Sequence, residues 1–283
     1  MGHGSKRRPN QLDYNPNLLV QMPAEEDLSA RYLYLNNAVR KNLAMGLNYQ
    51  GTSASLNGCE TDAYEIDEML KNYFRYTSSG KVFYNNLSSQ NGIATYFDNF
   101  LKTAKSGDRL FFSYSGHGSY VTDVSGDEPD GRDEVLIGYG LRAVSDDQLY
   151  LSLKNSLPKN TVLFLLIDAC HSGSSLDLVW RWIPEVNALE RVSNRDPLDS
   201  SKVIVMISGC QDTGTSAEAT IEGKTQGALS WAFKKIVTSE DISMYTFQTL
   251  INRINNVLKA SNFTQTATLS TNVPTILDEY VTF

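Results

Sequence analysis

This chain predicts an α/β fold, a mostly parallel central sheet with helices on both faces, and three observations carry that prediction. The runs 109–114, 161–167 and 202–207 are almost continuously apolar, as strands buried on both faces are. These runs alternate with segments whose apolar residues recur at helical spacing, the alternation expected of a parallel sheet covered by helices. The stretches richest in reactive side chains, Ser115-Gly116-His117-Gly118 and Asp168-Ala169-Cys170-His171-Ser172-Gly173, each follow one of the runs directly. In open α/β sheets, ligands collect outside the carboxyl ends of the strands. Side chains two apart on a strand share a face, so Ser115 pairs with His117 and Asp168 with Cys170, and four polar groups converge on one cleft.

The elements follow in order. Residues 1 to about 40 read as an N-terminal arm, since Pro9, Pro16 and Pro23 break any long element, with helical character in part of 31–39. Residues 41–283 read as one domain. Its first strand is 41–49, followed by a small-residue loop and a helix over 60–74 with Ala63, Ile66, Met69, Leu70 and Phe74 on its apolar side. A short strand at 82–84 leads to a helix over 93–104, where Ile93, Tyr96, Phe97, Phe100 and Leu101 repeat at helical spacing. After the His117 strand come an acidic, Gly-rich loop over 122–133 and a strand at 135–137. Asp146 and Asp147 then begin a helix reaching about 157, a position where Asp also serves as a cap. Beyond the Cys170 strand, 179–202 holds Trp180, Trp182, two prolines and several arginines. It reads as a surface loop. The strand at 202–207 and helices over 228–237 and 246–260 complete the chain.

Composition narrows the partners. At 283 residues with 41% hydrophobic content, the chain can bury a full core, and a net charge of -7 argues against a nucleic-acid surface while leaving room for cationic substrates or metal ions. Lys6-Arg7-Arg8 reads as a solvated tail. Cys59, Cys170 and Cys210 are too few for a disulfide framework and lack zinc-ligand spacing, which favours a reducing compartment. No signal peptide or apolar stretch of the roughly 20 residues a membrane span needs appears, and Lys6 replaces the hydroxyl residue of a myristoylation motif. The expectation is a soluble cytoplasmic protein with no membrane or nucleic-acid partner.

A thiol attacks an amide as thiolate and needs a nearby proton acceptor, for which imidazole is the usual provider. Cys170 and His117 form that pair in this reading. His171 adjoins Cys170, but neighbouring side chains on an extended chain point apart. The ordered set Leu47-Asn48-Tyr49-Gln50-Gly51-Thr52, Leu56-Asn57-Gly58-Cys59, Ser113 to Gly118, Asp168 to Gly173 and Ile207-Ser208-Gly209-Cys210 resembles the metacaspases of type I, caspase-like cysteine peptidases. The likeness runs from about residue 41 to the C-terminus and implies a caspase-like fold and a monomer. Cys170 follows His117 by 53 positions, the separation caspases use, although Asp168 replaces the glutamine of the caspase signature. The sequence departs from type I in lacking a long Pro/Gln-rich prodomain, and its 179–202 segment, set between large and small subunit-like parts, is too short for a type II linker.

The resemblance implies roles residue by residue. His117 stabilises the thiolate and protonates the leaving amine, as an imidazole acting as general base and acid does, while the N–H groups of Gly118 and Cys170 form an oxyanion hole. Cys59, Asp62, Ser115 and Asp168 line the first substrate pocket. Two carboxylates there select Arg or Lys and repel Asp, and a bound cation offsets the charge by which Asp168 would disfavour the thiolate. Asp133, Asp146, Asp147 and Asp177 match the family's calcium positions, and four hard oxygen donors suit Ca²⁺. The 123–133 loop itself follows no EF-hand pattern. Arg181, Arg191, Arg195 and Lys202 are candidate self-cleavage positions. Two alternatives stay open: a calcium-binding regulatory protein without proteolysis, and a legumain-like or separase-like peptidase of other specificity. A doubly wound phosphate-binding domain has no Gly-rich phosphate loop in its support.

Overall fold

The computed structural model describes residues 38–122, 131–169, 176–184, 186–210, 218–221, 223–281 and 283. The expected N-terminal arm, the acidic residues Asp123, Asp127, Glu128 and Asp130, and Cys170 with His171 lie outside the described residues. In chain order the elements are β1 Arg40–Gly46, α1 Cys59–Phe74, β2 Thr77–Phe83, α2 Ile93–Lys102, β3 Arg109–Ser115, β4 Gly118–Thr122, β5 Arg132–Ile137, β6 Ala143–Ser145, α3 Asp146–Ser156, β7 Thr161–Asp168, β8 Trp180–Ile183, β9 Ala188–Arg191, β10 Lys202–Cys210, β11 Glu218–Ile221, β12 Lys224–Gly227, α4 Ala228–Ser239, α5 Phe247–Ala260 and β13 Thr266–Thr271.

Eight strands form the main sheet in the order β2-β1-β3-β7-β10-β13-β8-β9. Every pairing from β2 to β10 is parallel, whereas β13, β8 and β9 add on in antiparallel fashion. Adjacent strand residues face opposite ways, and the core divides accordingly. Phe112 and Leu165 join Phe97, Leu136, Leu149 and Leu153 on the α2/α3 side. Phe111 and Phe164 join Ile66, Leu70, Phe233, Ile251 and Phe283 on the side of α1, α4 and α5. Unbroken apolar runs are thus what a strand needs when both its faces meet helices.

Two expectations need correction. The first strand does not run to Tyr49, because Tyr49 adopts a left-handed φ of 50° and turns the chain out of the sheet. Nor is 179–202 simply a surface loop. Its residues 180–183 and 188–191 form the hairpin β8/β9, with Trp180 opposite Arg191 and Trp182 opposite Leu189. Alternation decides this: Trp182 is buried among the α4/α5 core residues while its neighbours stay partly exposed, and the hairpin pairs main-chain groups at the edge that β13 would otherwise leave open. Among the described residues, no helix is long and apolar enough to cross a membrane.

Candidate active site

The parallel register sets Ser115 of β3 directly beside Asp168 of β7, both at the carboxyl edge of the sheet. Asp62, in the first turn of α1, reaches the same edge and accepts a 2.6 Å hydrogen bond from Ser115 Oγ. The remaining donors come from the β12–α4 junction. Gly227 N–H lies 3.0 and 2.9 Å from the two Asp62 carboxylate oxygens, and Ser230 N–H donates to Asp168 Oδ2 at 2.8 Å. Gln265 Nε2 adds a 3.3 Å contact to Asp168 Oδ1. The first-turn N–H groups of a helix favour negative charge, so the start of α4 holds both carboxylates in place.

All three polar side chains are buried, Asp62 to 3%, Ser115 to 4% and Asp168 to 6% residual exposure. Neither carboxylate has a Lys or Arg partner among the described residues. Burial raises the Asp62 carboxyl well above the usual range, and the nearby Asp168 charge raises it further against the pull of Ser115 and Gly227. Burial likewise raises Asp168, opposed by Ser230 and Gln265. Two hidden acids held only by neutral donors make a site that a cation would complete. Cys59, buried at the start of α1, sits one helical turn before Asp62.

His117 lies two residues beyond the end of β3, half-buried, with its Nε2 2.8 Å from the carbonyl oxygen of Ala54. A carbonyl only accepts, so Nε2 carries the proton and Nδ1 is left for a reacting partner. Asn48 shapes the loop that supplies Ala54: its carbonyl accepts Leu56 N–H at 2.8 Å and its side chain accepts Glu60 N–H at 3.3 Å. Gly118 opens β4 opposite Leu136.

The four aspartates proposed for calcium lie on β5, on the first turn of α3 and just before β8. Asp146 ties two of these together, accepting Glu134 N–H at 2.7 Å through Oδ2 and Asp147 N–H at 2.9 Å through Oδ1. Asp147 and Asp177 share one cation, the guanidinium of Arg195, which pairs with Asp147, lies 3.3 Å from Asp177 Oδ2 and covers the Tyr150 ring at 4.7 Å. Hard carboxylate oxygens from separate elements fit Ca²⁺ chemically, and the guanidinium marks where two of them already attract positive charge. Among the described residues, no three His, Cys, Asp or Glu side chains are arranged to hold a metal ion.

Comparison with known proteins decides the family. A family model described as the metacaspase, peptidase C14 domain matches residues 40–179. The metacaspase-1 of Meyerozyma guilliermondii is 29% identical over 83% of this chain and 70% of its own length, and that of Coccidioides immitis is 30% identical over 86% of this chain and 64% of its own. The chain belongs to the metacaspases, a family of cysteine peptidases. Its fold is also that of a solved protein from Geobacter sulfurreducens, GSU0716, with a TM-score of 0.61 at 23% identity over 85% of this chain and 97% of the other.

In this metacaspase the candidate self-cleavage residues are not displayed on a free loop. Arg181 and Arg191 are held in the β8/β9 hairpin, and Arg195 is engaged with Asp147 and Asp177. Lys202 is buried, its Nζ donating to the carbonyls of Leu153 and Lys154 at 3.1 and 2.8 Å. A peptidase must take its target bond in extended, accessible form, so in this conformation each segment would first have to open. Sequence reasoning missed Ala54, Gly227, Ser230, Gln265 and the pairing of Arg195. All act through main-chain groups or distant contacts, and only Gly58-Cys59 and the Asn48-Tyr49 motif hinted that the 47–59 segment mattered.

Proposed function

We propose that this metacaspase is a calcium-dependent cysteine endopeptidase cleaving after Arg or Lys, with Cys170 as nucleophile and His117 as acid and base. The observation that carries the specificity is the convergence of Asp62 and Asp168, both buried, on Gly227, without a cationic partner among the described residues. A guanidinium or ammonium entering there meets two acceptors already oriented by Ser115, Gly227 and Ser230. Asp at the same position of a substrate is repelled.

In the chemistry proposed, Cys170 Sγ bonds to the substrate carbonyl carbon as thiolate, its proton resting on His117 Nδ1. The developing oxyanion is met by the N–H groups of Gly118 and Cys170. Nδ1–H then protonates the amide nitrogen as the C–N bond breaks, leaving a thioester on Cys170. Water attacks the thioester carbon while Nδ1 takes its proton, and the thiol and the new carboxylate are released. Ala54 keeps the ring in the tautomer these steps require. Asp133, Asp146, Asp147 and Asp177 would hold calcium, which supplies charge neutralisation among carboxylates. Asp177 lies seven residues beyond Cys170, so an ion held there would act close in sequence to the nucleophile. The reading extends to a monomeric cytoplasmic enzyme that acts on protein substrates and cuts itself at Arg181, Arg191, Arg195 or Lys202.

Matched fluorogenic peptides ending in Arg, Lys or Asp, given to wild type and to Cys170→Ala with calcium or with chelator, test the whole. Hydrolysis of the basic peptides alone, dependent on both Cys170 and calcium, is expected. Preference for Asp overturns the pocket; equal rates in chelator overturn the calcium dependence.

A further inference from the structure

Two tyrosines hold the main chain of His117 on every side. His117 N–H donates to Tyr49 Oη at 2.9 Å. Its carbonyl oxygen accepts both Tyr114 Oη–H at 2.9 Å and Ile137 N–H at 3.0 Å. Tyr49 Oη in turn donates to the Ile137 carbonyl at 2.8 Å, and the two phenol oxygens are 2.9 Å apart. The donor and both acceptor sites of this peptide segment are therefore engaged. The Tyr49 ring also lies against the imidazole, centroids 4.8 Å apart and planes at 36°.

We infer that Tyr49 is a positioning residue for His117, with Tyr114 as its support: the phenol pair fixes the main chain, and the Tyr49 ring with the Ala54 carbonyl fixes the imidazole. Both tyrosines are fully buried. Burial pushes both phenols upward, so the hydroxyls keep the protons they donate. The clamp also accounts for glycine in Ser115-Gly116-His117. A Cβ on Gly116 would stand 2.6 Å from Tyr114 Oη and 2.7 Å from Tyr49 Oη, so any side chain there prises the pair apart. It likewise explains the tyrosine of the Leu47-Asn48-Tyr49 motif, whose left-handed turn out of β1 delivers the hydroxyl beneath His117.

The inference rests on His117 being the acid and base of the reaction, and the experiment separates the two claims. Tyr49→Phe keeps the ring but removes the hydroxyl. In calcium-loaded enzyme, kcat on the Arg peptide should fall on the order of 100-fold, the cost of misplacing a reacting group by about 1 Å, with KM nearly unchanged. The pH profile of Cys170 alkylation by iodoacetamide, followed on the Cys170 peptide by mass spectrometry, should move to higher pH because a displaced imidazole stabilises the thiolate less. His117→Ala is the reference: an alkylation profile matching wild type would overturn the dyad itself. A shifted His117→Ala profile beside an unshifted profile and unchanged kcat in Tyr49→Phe would overturn the clamp alone. If Tyr49→Phe does not fold, Gly116→Ala supplies the same readouts by pushing on both hydroxyls, and wild-type kcat and profile there overturn the clamp equally.

Discussion

Asp168 Oδ2 occupies the space in which a side chain on Gly227 would have to begin, since a Cβ there would lie 2.2 Å from that oxygen. The same Cβ would come within 2.9 Å of Asp62 Oδ2. Both carboxylates therefore close on one backbone position, whose N–H holds Asp62.

Gly227→Ala should disturb the pocket before it disturbs the sheet. The methyl must push two buried carboxyl groups apart, an overpacking cost of about 1–3 kcal/mol. The expected result is a modest fall in melting temperature and a drop of about 10-fold or more in kcat/KM for the Arg peptide, while Cys170 alkylation continues. Steady-state kinetics and a thermal melt check this; unaltered Arg hydrolysis would place the substrate's basic residue elsewhere.

The raised carboxyls predict opposite pH trends for stability and for substrate binding. Folded Asp62 and Asp168 hold protons more tightly than the unfolded chain does, so their contribution to stability is full below the unfolded carboxyl value of about 4 and is lost as pH rises through the folded values. Binding of a basic side chain needs the ionised forms and should strengthen over the same rise. Asp62→Asn should flatten the stability trend in ligand-free protein and weaken the Arg preference. Melting curves and KM measured across pH 4 to 8 test both signs.

Arg195 should stand in for a metal. Replacing it by Gln removes one guanidinium from Asp147 and Asp177, and breaking a well-buried pair costs about 3–5 kcal/mol. Arg195 keeps 17% side-chain exposure, so a smaller loss is expected. Calcium should restore the lost melting temperature in Arg195→Gln more than it raises that of wild type, because a ligand of the native state stabilises by mass action. Calorimetric titration should show tighter calcium binding in the variant; weaker binding would make Arg195 a support of the site rather than its competitor.

Phe111 tests the core independently of chemistry. Its ring packs at 4.9 Å from Phe164 and at 5.9 and 6.1 Å from Phe233 and Phe283. Phe111→Ala should cost about 3–5 kcal/mol, read by denaturant unfolding. Phe112→Ala should cost a similar amount by emptying the opposite face, where Phe97 packs at 4.9 Å.

Much of the fold was legible in the sequence for a plain reason. Buried parallel strands need unbroken apolar residues, and 109–114 and 161–167 have them. The helices 60–74, 93–104 and 146–157 show their apolar spacing, and the structure places them within a few residues of those limits. What escaped was the antiparallel flank. Strands 180–183 and 188–191 are short and carry arginines and prolines nearby, so no local period announces them, and they form by pairing at a distance, β8 with β13 and β9 with β8.

By itself the sequence determined the parallel α/β architecture, the family, and the placing of Ser115 and Asp168 at strand ends, because side-chain period and motif order are local properties. Only the tertiary structure decided that the first turn of α1 and the start of α4 meet those residues, that Ala54 faces His117 through its carbonyl, and that Arg195 lies between Asp147 and Asp177. These contacts join residues up to 165 positions apart and run largely through main-chain atoms. Every residue carries the same main-chain N–H and C=O, proline's missing N–H aside, so the letters of a sequence do not distinguish the ones that folding will bring to the site.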